Sequence, residues 1–253
     1  MKAMVLCAGF GTRLGALTRE IPKPMLTVGG RPMLEHVLLH LRHHGFTDIV
    51  VNLHFLPRVI TDYFGNGSRF GLRIDYSCEE DLLGTAGGLK KAEWFFKGEG
   101  SFLVHYGDIL TNQDFSALQR YHEEKGAAIT MLVHERPGSN SVVEFDGGGR
   151  IRRFLERPTE EERRGVSSPW VNSGICLCGQ SVFDLIPSKG PCDLPRDVFA
   201  KNIDRLPLFA FPLCSARFAI DSPERLAKAE EAFAKGALPR YPADPSFSFG
   251  TKI

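Results

Sequence analysis

The chain predicts an α/β fold: a Rossmann-like mixed, mostly parallel sheet with helices on both faces. Three observations carry that expectation. Apolar runs of strand length alternate with helical periodicity through the first half. The first run, Met4-Val5-Leu6-Cys7-Ala8, opens into a glycine-rich loop. A carboxylate, Asp108, follows another apolar run, where the carboxyl edge of such a sheet would hold a ligand. In order, Met33, Leu34, Val37, Leu38 and Leu41 predict a helix ending at Gly45, and residues 49–53 a second strand. Pro57 starts a helix whose apolar positions Val59, Ile60, Tyr63 and Phe64 run to Gly65. Residues 72–76 alternate as a third strand, 89–96 are helical, and 101–106 form a fourth strand.

The second half is less regular. Residues 141–145 and 150–155 flank Asp146-Gly147-Gly148-Gly149, whose turn chemistry predicts a hairpin. A small β insertion over about 136–180 is expected to cover the substrate. A strand over 169–178, a helix over 193–203, short strands at 208–211 and 218–220, and a helix over 223–235 capped by Ser222 complete one domain, residues 1–238. The tail, 239–253, is rich in Pro and Ser without periodicity, and is expected to lie on the surface or on a neighbouring subunit, so a homodimer is compatible with it.

A chain of 253 residues buries a large core, and its net charge of +1, with acids and bases interspersed, argues against a nucleic-acid or membrane-surface partner. No stretch approaches a membrane span, and Met1-Lys2 runs into the first strand without a signal-like segment; the cytoplasm is the expected compartment. Six scattered cysteines are expected as buried, reduced thiols, with Cys176 and Cys178 on one face of a strand. His36, His40, His43 and His44 lie at near-helical spacing without H-E-x-x-H and are read as a solvated or half-buried helix face.

Gly9-Phe10-Gly11-Thr12-Arg13-Leu14 is the most informative motif. Bare backbone N–H groups of a glycine loop approach phosphate, and Arg13 and Lys23 add positive charge. Leu14 occupies the place of a third dinucleotide-motif glycine, and no Walker Gly-Lys-Ser/Thr follows. An ordinary strand-to-helix turn would use the same glycines, but needs neither Arg13 nor a lysine held extended between Pro22 and Pro24. Asp108 after Gly107, and Asp221 after a short strand, suit a hard cation beside phosphates; a turn aspartate and a helix cap are the competing accounts. Leu83-Gly84-Thr85-Ala86-Gly87-Gly88 lets a base or ribose approach the backbone, or simply starts a helix. Glu156-Arg157-Pro158 and Val171-Asn172-Ser173-Gly174 suit sugar hydroxyls and a phosphate, although surface charge and turn formation explain them singly.

In this order the motifs, with Gly29-Gly30-Arg31-Pro32-Met33-Leu34-Glu35 and Asp221-Ser222-Pro223-Glu224-Arg225-Leu226, resemble the sugar-1-phosphate nucleotidylyltransferases from Met4 to about Phe233. Within them the chain is most similar to the mannose-1-phosphate or heptose-1-phosphate guanylyltransferase branch, with uridylyltransferases close behind. The resemblance implies a GT-A-like fold, a nucleoside triphosphate (GTP favoured) and a sugar 1-phosphate as partners, pyrophosphate release, and Mg²⁺ shared by Asp108 and Asp221. It implies that Leu6, Ala8, Gly9, Gly11, Thr12 and Arg13, with Gly84 and Thr85, hold the nucleotide. Lys23 would bridge the two phosphates, and Gly107, Glu156, Arg157 and Asn172 would meet the sugar phosphate. Arg157 stands where the family usually has lysine, His105-Tyr106 where Asn is common, and Ala219 where Trp is usual. The chain is expected to lack the β-helix domain of longer relatives. A relative that binds nucleotide-sugar without making it, and a uridylyl- or cytidylyltransferase, are the alternatives.

Overall fold

A computed structural model describes residues 1–242; residues 243–253 of the expected tail lie outside the described residues. In chain order the strands are β1 (Lys2–Leu6), β2 (Thr27–Val28), β3 (Arg31–Pro32), β4 (Asp48–Leu53), β5 (Arg73–Cys78), β6 (Ser101–Tyr106), β7 (Ile109–Thr111), β8 (Ile129–Glu135), β9 (Ser141–Phe145), β10 (Ile151–Glu156), β11 (Trp170–Gly179), β12 (Leu208–Pro212) and β13 (Arg217–Ala219). The helices are α1 (Met33–His43), α2 (Pro57–Phe64), α3 (Gly84–Lys91), α4 (Phe115–Glu124), α5 (Glu160–Arg163) and α6 (Pro223–Ala234).

Seven strands form one sheet in the order β12-β8-β11-β6-β1-β4-β5. Six run parallel, and β11 alone is antiparallel, between β6 and β8. Side chains alternate along β1 between two cores. Ala3 and Val5 pack with Leu34, Leu38, Ile60 and Phe115 under α1, α2 and α4. Met4 faces Ala86 and Leu89 of α3 on the opposite side, together with Phe96, Phe102, Phe183 and Phe199. Both faces are therefore covered, as the continuous apolar runs of a parallel sheet require.

Several elements depart from the sequence expectation. The segment expected as an insertion contains β11, which is a central strand; only the β9–β10 hairpin and α5 stand off the sheet. The hairpin itself forms as expected, with Asp146 Oδ1 accepting from the N–H groups of Gly148 and Arg150. Helix α4 and β8 carry no expectation above; Asp114 caps α4 through two backbone N–H groups, and the β8 run is apolar on both faces because it is interior. The helix expected over 193–203 is a single π turn, Leu194–Phe199, followed by a 3₁₀ turn, Ala200–Asn202. Asp193 caps this turn, its Oδ1 accepting from the Arg196 N–H, and Pro195 stands in the first turn, where no backbone N–H is needed. Cys7, Cys176, Cys178 and Cys192 are buried free thiols, whereas Cys78 and Cys214 are exposed, contrary to expectation. His40 also departs from the surface reading: it is buried, contacts the Gln113 carbonyl through Nε2, and accepts from the Tyr241 hydroxyl at Nδ1.

Candidate active site

The carboxyl ends of β1, β4, β5 and β6 open onto one cleft of about 440 Å³. Hydrogen bonds between successive loops set its floor. The Cys7 N–H donates to Asn52 Oδ1 at the end of β4. Asn52 donates in turn to Glu79 Oε1 (2.7 Å), and Glu79 Oε2 accepts from the Leu83 N–H at the start of α3. A buried amide and a buried carboxylate thus brace the two glycine loops at a fixed separation. The expectation concerned the loops; the brace is non-local and has no sequence signature.

Two glycines are dictated by close approach. Gly84 has φ +73°, and a Cβ there would stand 2.5 Å from the Cys192 carbonyl oxygen. A Cβ on Gly107 would stand 2.5 Å from the Cys7 sulfur, because the Gly107 N–H donates to the Leu6 carbonyl and draws the two loops together. Gly9 has nothing within 4 Å of such a Cβ; it faces the open cleft, where a ligand would approach.

The two acids arrive from elements more than a hundred residues apart. Strands β7 and β13 pair antiparallel, Ile109 opposite Ala219, so Asp108 before β7 and Asp221 after β13 meet at one end of the ribbon. The Ile220 N–H donates to the Asp108 carbonyl at 2.9 Å, which locks that end. Each acid carries a cation: Lys23 pairs with Asp108, and Arg13 Nη1 lies 2.9 Å from Asp221 Oδ2. Arg225, one turn into α6, takes the other Asp221 oxygen at 2.7 Å. Arg13 is otherwise largely exposed and free to re-aim, while Lys23 is mostly buried between Pro22 and Pro24.

Leu6, Ala8, Gly9, Gly11, Thr12, Arg13, Lys23, Gly84, Thr85, Gly107, Asp108, Arg157 and Asp221 all line this cleft. Glu156 and Asn172 do not line it. Glu156 ends β10, where burial raises its carboxyl against the opposing hydrogen bond from Ser141. Asn172 sits on β11, with its Oδ1 accepting from the Gly174 N–H. Tyr106 and Thr85 lie on the cleft wall, and burial with the neighbouring Asp193 keeps the phenol protonated. Burial likewise pushes the Cys7 thiol up, so it is no nucleophile at neutral pH.

Two carboxylates on a pinned ribbon beside cations and open glycine backbone are groups that could hold phosphates, and among the described residues lining the cleft there is no serine or histidine. Among the described residues no three His, Cys, Asp or Glu side chains cluster as a metal cage. Two acids nevertheless fit Mg²⁺, which usually takes one or two carboxylates and completes its shell with phosphates and water.

A family model described as nucleotidyl transferase matches residues 2–206. The chain belongs to the nucleotidyl transferase family. It is 40% identical over 225 residues to a UTP–glucose-1-phosphate uridylyltransferase of Synechocystis, covering 83% of this chain and 57% of that protein. It is 33% identical over 219 residues to the mannose-1-phosphate guanyltransferase of Candida albicans, covering 84% of this chain and 59% of the relative. The chain thus spans a little under three fifths of these curated relatives. Its fold matches a crystal structure from Bacillus anthracis, described as a putative glucose-1-phosphate thymidylyltransferase, with TM-score 0.81 and 23% identity over 99% of this chain and 98% of that one. HddC of Yersinia pseudotuberculosis, solved with GMP-PN, matches with TM-score 0.76 and 22% identity over 92% of this chain and 99% of that one. Both likenesses establish the family's mixed, mostly parallel sheet with helices for this chain.

Proposed function

We propose that the protein transfers a nucleotidyl group from a nucleoside triphosphate to a sugar 1-phosphate, releasing pyrophosphate. The convergence of Lys23–Asp108 and Arg13–Asp221 across one cleft of about 440 Å³ supports this reading most directly. A phosphate oxygen of the sugar 1-phosphate forms the new bond to the α-phosphorus, and the bond to the bridging oxygen of pyrophosphate breaks. The nucleophile is already an anion, so no general base is needed, and the barrier lies in bringing two anions together.

Gly9, Gly11 and Thr12 offer backbone N–H groups to the triphosphate, and Arg13 follows the charge onto the departing pyrophosphate. Lys23 stands between the α-phosphate and the incoming phosphate, with Arg157 at the cleft edge drawing the latter in. Leu6 and Ala8, with Gly84 and Thr85, form the base and ribose pocket; Gly107 lies on the sugar side, and Glu156 and Asn172, outside the present lining, must turn inward to meet the sugar. Asp108 and Asp221 would hold Mg²⁺, which when bound neutralises phosphate charge. Both acids must then exchange their present lysine and arginine partners.

GTP is the base we favour, from the motif resemblance and the 33%-identical guanyltransferase. UTP is the second reading, favoured by the 40%-identical uridylyltransferase. We place the reaction in the cytoplasm, in keeping with six unpaired thiols; no described helix is long and apolar enough to cross a membrane. The test is pyrophosphate release with Mg²⁺ from each pairing of GTP, UTP, CTP, dTTP and ATP with mannose, glucose and heptose 1-phosphates. Release with one base well ahead of the others is expected. Nucleotide-sugar binding without release from any pairing would instead make the chain a binding relative.

A further inference from the structure

Strand β11 is irregular where it passes the cleft. Asn172 pairs with Val133 of β8, but the next paired residue, Cys176, meets Met131, so β11 carries two extra residues. Pairing with β6 begins only at Ile175. Residues 173 and 174 therefore leave both ladders, and the carbonyl of fully buried Ser173 needs another donor.

Arg217 of β13 supplies it. Nε and Nη2 both donate to the Ser173 oxygen, at 3.0 and 2.8 Å. Two further contacts and a left-handed glycine complete the bulge. The Ser173 hydroxyl bonds His134 Nδ1 at 2.9 Å, the Asn172 N–H donates to the Ser141 hydroxyl, and Gly174 adopts φ +75°. A Cβ on Gly174 would stand 2.6 Å from Ile109 Cδ1 and 3.2 Å from the Tyr106 ring, the residues on either side of Gly107-Asp108. The bulge carrying Asn172 is thus pressed against the turn carrying Asp108, and Arg217 sits on the strand paired with the exit of that turn. Burial lowers the guanidinium to about 10 while Asp108 and Asp221 counter that effect, with Arg136 and Arg225 as its like-charged neighbours; it stays charged at neutral pH.

We propose that Arg217 is a positioning residue that couples the two halves of the cleft, its forked hydrogen bonds fixing the Asn172–Gly174 bulge against the Asp108 turn. It does so without touching substrate, which separates it from Arg13, Lys23 and Arg157. The kinetic consequence rests on the nucleotidyl-transfer reading; the structural one does not. In Arg217→Lys the charge beside Asp108 remains while the fork is lost. The KM for the sugar 1-phosphate, assayed with mannose and glucose 1-phosphates, is then expected to rise about tenfold, with the triphosphate KM within about twofold of wild type.

Amide hydrogen exchange supplies a readout independent of turnover. The Gly174 N–H, which donates to Asn172 Oδ1, is expected to exchange about tenfold faster in Arg217→Lys, with the β6 amides unchanged. Exchange at Gly174 as slow as in wild type overturns the proposal whether or not the chain is active. A parallel rise in both KM values overturns the coupling and leaves a general stabilising role. If Arg217→Lys does not accumulate as folded protein, the same measurements on Arg217→Gln decide.

Discussion

The two halves of the cleft are built differently. The glycine-loop half uses backbone: Gly9 faces open space, Gly84 and Gly107 permit close approaches, and Asn52 with Glu79 braces the loops from below. The half proposed for the sugar depends on side chains beside the cleft rather than lining it, with Asn172 on the β11 bulge, Glu156 at the end of the hairpin, and Arg217 and His134 bonded to the bulge. Backbone contacts to phosphate do not depend on which base or sugar is bound, so one loop serves many members of a family. Side chains on a bulge change by single substitutions, so under the proposed function sugar choice would reside there.

Asp108→Asn tests what the halves share. It should cut turnover by about a thousandfold, because it removes charge where the two anions meet, with an unchanged circular dichroism spectrum. Near-normal pyrophosphate release would remove Asp108 from the chemistry and with it the meeting point of the halves.

Gly84→Ala probes the backbone-built half. A methyl group directed at the Cys192 carbonyl from a left-handed φ should cost about 1–3 kcal/mol, read as a lower midpoint in urea, together with weaker triphosphate binding. An unchanged midpoint would show that this loop yields easily, against the rigidity ascribed to it.

Asn172→Ala probes the other half. The sugar 1-phosphate KM should rise about tenfold, the scale of a lost hydrogen bond to substrate, while the triphosphate KM stays constant. Equal changes in both would erase the division.

The smallest effect is expected from pH, and it should not distinguish the halves. Burial holds His40 and His105 neutral, near 3 and 4 against an ordinary 6.5. Between those values the unfolded chain binds more protons, so their stabilisation is complete above about 6.5 and is lost as pH falls from there toward 4. Melting temperature should decline between pH 7 and 5, with a shallower slope in His40→Gln. An identical slope would assign the decline to other groups.

Local motifs were the most legible part of the site. Gly9, Gly11, Thr12 and Arg13, Lys23 between prolines, and Gly107-Asp108 all fall on the cleft, since each belongs to a short segment whose geometry its own residues largely set. The Asn52–Glu79 brace and Arg217 were not legible, because their partners lie 27 and 44 residues away and neither forms a motif. His40 shows the same limit from the other side: the near-helical spacing suggested a solvated or half-buried face, and the packing of Phe115 and Tyr241 made it core.

By itself the sequence determined the alternation of strands and helices, the hairpin at Asp146, and the residue types proposed to handle phosphate, because hydrophobic period, turn chemistry and glycine loops are local properties. Tertiary structure decided that β11 runs antiparallel through the middle of the sheet, that Asp108 and Asp221 meet at the end of the β7–β13 ribbon, and that each acid holds a cation. Those outcomes depend on which strands pair and in what register, and pairing between distant segments is settled only when the whole core packs.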